Sequence, residues 1–218
     1  MSVAILDIET VVCDWWSPPP DDPDRFAPAP AWRVICACVL MVRDGHKPEM
    51  LTWTGDEAQI LRDIATDLGA ADQIVTWNGR RFDLPVVMAR SLVHGLEQGW
   101  YYGGRDGARQ DARYRYAGPR ARHLDLADHL SDYGAGTVGS LDTLARALGL
   151  PDGKGATKGS DVADMYARGE HEAIARYCAR DVLVTALVWT RWCLLVGDAK
   201  PERTAKREAW VRERLSDG

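Results

Sequence analysis

Apolar residues recur along this chain with two different spacings, and the spacings order it into strands and helices. Val3 to Ile8 is a short apolar run ending in acids, which predicts a buried first strand. Val34 to Val42 predicts a second strand and Met50 to Trp53 a third. Thr54 and Glu57 have the spacing of a capping box, and Ile60, Leu61, Ile64 and Leu68 then line one side of a helix. Gln73 to Trp77 predicts a fourth strand, broken by Asn78-Gly79. Asp83 to Leu92 predicts a helix with Pro85 near its start. Residues 95–122 show no period, and every later pattern is helical: Leu124 to Leu130, Leu141 to Leu148, Val162 to Tyr166, and a long one from Glu170 to Val196. Lys200 to Leu215 is charged at most positions and predicts a solvated helix. Ser17 to Ala31 is too rich in Pro and Asp to pair in a central sheet and predicts a surface loop. The order predicts an α/β domain with a mixed central β-sheet and flanking helices, over residues 1–197, with a charged helical tail over 198–218.

Composition narrows the class. The 218 residues are 46% hydrophobic and 27% charged, which suits a folded globular chain with a sizeable core. A net charge of −5 argues against a protein that coats nucleic acid through a strongly basic surface. It leaves room for an enzyme whose positive charge is local or supplied by metal ions. The five cysteines show no CxxC pair, so their spacing marks neither a disulfide framework nor a zinc site. Cys36 and Cys38 lie two apart in an apolar run and therefore share one face of a strand. Reduced thiols, no leader-like start and no apolar run long enough for a bilayer give the expectation of a cytoplasmic protein without a membrane segment.

Four acids and a tyrosine stand out. Asp7 and Glu9, two apart, project from the same side of the first strand near its end. Alone, the pair also reads as a turn with two solvated acids. Asp83 follows a buried strand at the start of a helix, where a helix-capping role is the alternative. Asp181 falls at the centre of an otherwise apolar stripe with Ile174, Tyr177, Cys178, Thr185, Val188 and Trp192. An ionised carboxylate in such a stripe has to be paired, with an arginine for example, or hold a metal. Tyr177 lies one helical turn before Asp181 and reaches the same side.

In this order Leu6-Asp7-Ile8-Glu9-Thr10, Asn78-Gly79-x-x-Phe82-Asp83-x-Pro85 and Tyr177-x-x-x-Asp181 resemble the motifs of the DEDD superfamily of 3′-5′ exonucleases, in the subgroup with tyrosine in its third motif. His123-Leu124-Asp125-Leu126, Ser140-Leu141-Asp142 and Leu148-Gly149-Leu150-Pro151 are similar to the stand-alone branch related to the proofreading domain of family B DNA polymerases. The resemblance runs from about residue 3 to residue 193 and implies a ribonuclease H-like fold. It implies that Asp7, Glu9, Asp83 and Asp181 hold two Mg²⁺ or Mn²⁺ ions, and that Tyr177 orients the attacking water or the scissile phosphate. It also implies that the backbone around Ile8, Glu9 and Thr10 contacts the terminal nucleotide, that Asn78 holds the turn or touches the substrate, and that Phe82 is a substrate-binding residue. Elementary electrostatics agrees. Two carboxylates about 4 Å apart repel by roughly 4 kcal/mol at an effective dielectric near 20, so several converge cheaply only around cations.

Arg113, Tyr114 and Arg115 lie in a segment that alternates arginines with aromatic residues, the combination that grips single-stranded DNA. A long loop with solvated charges is the alternative. The expected reaction is hydrolysis of phosphodiester bonds at the 3′ end of single-stranded DNA. RNA trimming by the same site and a non-catalytic nucleic-acid-binding module are the competing readings. His171-Glu172-Ala173-Ile174-Ala175 lacks the second histidine of a zinc-protease helix.

Overall fold

The structure is a computed structural model, and it describes residues 1–102, 122–150 and 159–217. A five-stranded sheet runs in the order β3-β2-β1-β4-β5. Its strands are β1 (Ser2–Val12), β2 (Trp32–Arg43), β3 (Glu49–Thr54), β4 (Gln73–Thr76) and β5 (His123–Asp125). β2 pairs antiparallel with β1 and β3, while β4 pairs parallel with β1 and β5. The mixed sheet expected from the pattern is the one observed, and β1 is its centre.

Because side chains alternate along a strand, β1 feeds two cores. Ala4, Leu6 and Ile8 point to one face, against α1 (Glu57–Ala70) and α2 (Asp83–Val93). Val3 and Ile5 point to the other, with Cys36, Cys38 and Leu40 of β2. That second face is covered by the long helix α7 (His171–Leu195), with α5 (Leu141–Ala147), α6 (Val162–Ala167) and α8 (Pro201–Asp217) around it. Short helices α3 (Gly99–Tyr102) and α4 (Leu126–Leu130) complete the order. The α1 stripe of Ile60, Leu61, Ile64 and Leu68 is fully buried, contributing about 2 kcal/mol for each side chain.

Three sequence expectations change. The helix expected from Leu124 begins at Leu126, because His123–Asp125 instead adds a strand beside β4. A three-residue strand is too short to show a period. At α1 the cap is Asp56, which accepts from the Gln59 N–H at 2.9 Å, so Thr54 and Glu57 form no capping box. The Glu57 carboxylate turns inward instead, to Arg90 Nη2 at 2.6 Å, His94 Nε2 at 2.7 Å and the Val34 N–H at 2.8 Å. Burial alone would push the Glu57 carboxyl up; these donors more than offset it and hold it low. The pair ties α1 and α2 to β2. Finally, the C-terminal helix is solvated on one side only. Thr204, Val211 and Leu215 are buried, and Arg207 lies 4.7 Å over the Trp189 ring of α7.

Candidate active site

Asp7 and Glu9 sit on the α7 face of β1, in line with Val3 and Ile5 and ahead of Val11, which is buried in the same core. Each lies opposite a cysteine of β2: Asp7 is paired with Cys38 and Glu9 with Cys36. The register shifts between Glu9 and Thr10, an irregularity that re-aims the strand end beside the two acids. From above, α7 lowers Cys178 onto them. Its thiol donates to the Asp7 carbonyl at 3.4 Å and approaches Asp7 Oδ2 at 3.6 Å. One ligand atom each from Asp7, Glu9 and Cys178 falls within 4.8 Å of the others.

The second contribution comes from the turn after β4. Asn78 adopts a left-handed φ of 62°, and its N–H donates to Asp125 Oδ1 at 2.9 Å. The Arg80 N–H donates to Asp125 Oδ2 at 2.8 Å. Asp125 also caps α4 through the Ala127 N–H, so one buried carboxylate fixes both the turn and the helix after β5. Gly79 is required by crowding: a Cβ there would lie 2.6 Å from the Thr76 side chain. The turn delivers Asp83 as the first residue of α2, with no side-chain cap at Phe82. The Asp83 carboxylate meets its own N–H, the first of the helix. It reaches across to accept from the Ile8 N–H at 3.3 Å, stitching the turn to β1.

Asp83 is only 6% exposed. Burial pushes its carboxyl up to about 7, opposed by its own and the Ile8 backbone N–H groups and reinforced by the charges of Asp125 and Asp181. Burial raises Asp125 as well. The third contribution is Asp181, buried at 4% exposure on α7 one turn beyond Tyr177 and Cys178.

Asp7, Ile8, Asn78, Phe82, Asp83 and Asp181 all line one cleft of about 920 Å³. The fold thus gathers carboxylates from residues 7, 83 and 181 into a single space. Glu9 and Tyr177 are buried close by but are not among its lining residues. The Tyr177 hydroxyl faces the short helical turn Gly159–Asp161, at 3.9 Å from where a Gly159 Cβ would stand. Thr10 is half-buried just past the irregularity in β1. Arg113, Tyr114 and Arg115 lie outside the described residues.

Two parts of the site escaped sequence reasoning. Most of the loop from Ser131 to Ser140 lines the same cleft as the acids, with Asp132 and Tyr133 both at left-handed φ (49° and 55°). Consecutive non-glycine residues in that region are strained, and such strain concentrates at functional sites. The other part is Phe26 of the Pro-rich loop, 70% exposed, whose ring lies 5.1 Å from Trp32 and 5.9 Å from Phe82. The Gly-rich stretch 134–139 and a lone aromatic among prolines were the available signals.

A family described as a predicted 3′-5′ exonuclease related to the exonuclease domain of PolB matches residues 24–218. The chain belongs to this family. Asp83, Tyr177 and Asp181 lie inside the matched span of the PolB-related exonuclease family, and Asp7 and Glu9 lie ahead of it. No curated protein matches the sequence. Among solved structures, the chain is similar to the family B DNA polymerase from the hyperthermophilic archaeon Pyrobaculum calidifontis, with a TM-score of 0.62 at 19% identity. That match covers 88% of this chain and 24% of the polymerase, so the chain spans about a quarter of that protein's length. At this identity the likeness shows the fold alone, a mixed α/β arrangement of the ribonuclease H-like kind.

Proposed function

We propose that this member of the PolB-related exonuclease family is a metal-dependent 3′-5′ exonuclease of the tyrosine subgroup of the DEDD superfamily, which hydrolyses the 3′-terminal phosphodiester of single-stranded DNA. One observation carries the reading: Asp7, Asp83 and Asp181, from three distant elements, line one cleft, with Glu9 beside Asp7. The donor set fits Mg²⁺ or Mn²⁺, hard cations that prefer carboxylate oxygens. Asp7, Glu9, Asp83 and Asp181 would hold two such ions, which when bound activate water and stabilise the departing 3′-oxygen.

The chain's own residues supply the rest. Asp83, pushed up to about 7 by burial, would have to give up its proton to serve as a ligand. Tyr177 orients water or phosphate; a phenol with a reference pKa of about 10 is a poor base near neutrality. The Ile8 backbone and Thr10 meet the terminal nucleotide at the end of β1. Asn78, held at left-handed φ, and the Phe82 ring border the same space. Phe82 packs edge-on against Trp32 at 5.5 Å, a rigid mount for a face that a base can stack on. Arg113, Tyr114 and Arg115 would hold the strand further out.

The test is degradation of 3′- and 5′-labelled single strands, DNA and RNA, with Mg²⁺, Mn²⁺ or EDTA. DNA should shorten from its 3′ end only with metal, and Asp7→Ala should abolish turnover while the fold persists. Faster loss of RNA would reassign the substrate. Binding without cleavage in every metal would leave a nucleic-acid-binding module in place of an enzyme.

A further inference from the structure

Beneath the acids lies a cluster that their proposed role does not use. Cys36 and Cys38 of β2 and Cys178 of α7 are all fully buried, and their sulfurs lie within 4.8 Å of one another. The two β2 cysteines are the cross-strand neighbours of Glu9 and Asp7 on the same sheet face. Two thiols and two carboxylates therefore share one patch of the sheet under Cys178, which closes one triad with Cys36 and Cys38 and another with Asp7 and Glu9. A tetrahedral ion bound at about 2.3 Å to each of three sulfurs holds them roughly 4 Å apart. The cluster reaches that spacing with contraction of under about 1 Å. Cys178 and Asp7 also share the hydrogen-bond contact at 3.4 Å and 3.6 Å, and Asp7 lines the open cleft, giving a cation a way in.

We propose that Cys36, Cys38 and Cys178 form a three-thiolate site for one soft divalent cation of the zinc or cadmium class, with Asp7 as its fourth, oxygen ligand. Thiolates select such ions where carboxylates select Mg²⁺ and Mn²⁺. Binding forms three metal–sulfur bonds and releases three thiol protons to solvent. A soft ion seated here takes Asp7 from the hard-cation set, so it inhibits hydrolysis even with Mg²⁺ in excess. That consequence rests on the function proposed above; the binding site does not.

The experiment is a titration of the full chain with Cd²⁺ in the presence of Mg²⁺, read by the ultraviolet charge-transfer band of cadmium thiolates. The band should saturate at one Cd²⁺ per chain. Cys36→Ser and Cys38→Ser should each weaken apparent affinity at least about tenfold, since even an outer partner of a metal ligand is worth that much. Cys193→Ser should change nothing. X-ray absorption of the Zn²⁺-loaded wild-type chain should show three sulfur neighbours at about 2.3 Å, a readout that needs no variant to fold. One sulfur or none, or a band that survives in the Cys36→Ser/Cys38→Ser double variant, overturns the site. Three sulfurs with unchanged Mg²⁺-supported hydrolysis overturns Asp7 as the fourth ligand. Three sulfurs in a chain inert in every metal overturns the exonuclease reading and leaves the thiol site standing.

Discussion

Asp83→Asn separates what the buried acid does for chemistry from what it does to stability. The amide keeps the size of the side chain and can still accept from the Ile8 N–H, but it cannot ionise. In the metal-free wild type, burial holds the Asp83 carboxyl at about 7, against an ordinary value of 3.8. Between these values the folded chain keeps a proton that the unfolded chain has released. Stability therefore falls as pH rises through this window, by about 1.4 kcal/mol per pH unit at most. Across the whole window the loss reaches a ceiling of about 4 kcal/mol, fully expressed above pH ~7. In EDTA the variant should thus match wild type near pH 4 and exceed it by up to about 4 kcal/mol at pH 8. For a chain of this size that is a rise of roughly 10 °C in thermal midpoint. Urea unfolding across pH gives the difference curve, in which the similar contribution of Asp125 largely cancels. Millimolar Mg²⁺ should shrink the gap, because ligand that binds only the folded wild type stabilises it. Turnover should be lost. A difference that stays flat with pH, or a less stable variant at pH 8 in EDTA, refutes the assignment of Asp83 as a desolvated, cation-seeking acid.

Two other perturbations probe the frame around the site. His123 is buried, its Nε2 lies 2.8 Å from the Thr76 hydroxyl, and burial holds its ring down to about 3. A depressed histidine stabilises above its unfolded value of about 6.5 and loses that contribution as pH falls towards 3, up to roughly 5 kcal/mol. His123→Gln should flatten the acid limb of a urea-midpoint profile, and an unchanged limb would refute the argument. Gly79→Ala should cost about 2 kcal/mol or more, since its Cβ would meet Thr76 at 2.6 Å, and it should cut hydrolysis by displacing the turn that delivers Asp83. Wild-type melting and rate would show that the turn relaxes freely.

The parts of this molecule legible in the sequence are those with a period or an order. The alternation in β1 separates Ala4, Leu6 and Ile8 from Val3 and Ile5, and the stripe in α1 names its own buried face. The three acidic motifs were legible as a set because their order and local contexts constrain one another, although each alone has a bland reading. What could not be read depends on side chains choosing distant partners. Glu57 looked like half of a capping box because four-residue windows cannot reveal Arg90 thirty-three positions away. β5 was hidden because three residues carry no period, and its strand identity comes from pairing with β4. The thiol cluster was invisible for the same reason. Cys36 and Cys38 announce a shared face, but Cys178 joins them only when α7 crosses the sheet.

That crossing is also what lets the fold tolerate the site. Along one face of β1, Val3 and Ile5 are packed by α7, and the next two positions on that face are Asp7 and Glu9. Along α7, the stripe that covers the sheet passes through Tyr177 and Cys178 to Asp181. Strand and helix thus each carry acids within an otherwise apolar face, and α2 adds Asp83 beside them through its contact with Ile8. The apolar positions on either side fix the register of the acids, since a slip of one residue on β1 would turn Asp7 and Glu9 into the α1–α2 core. Partly desolvated acids at one level are costly without counter-charge. They persist because the packing on both faces of the sheet overdetermines their position, and the proton that Asp83 retains up to about 7 relieves part of the repulsion.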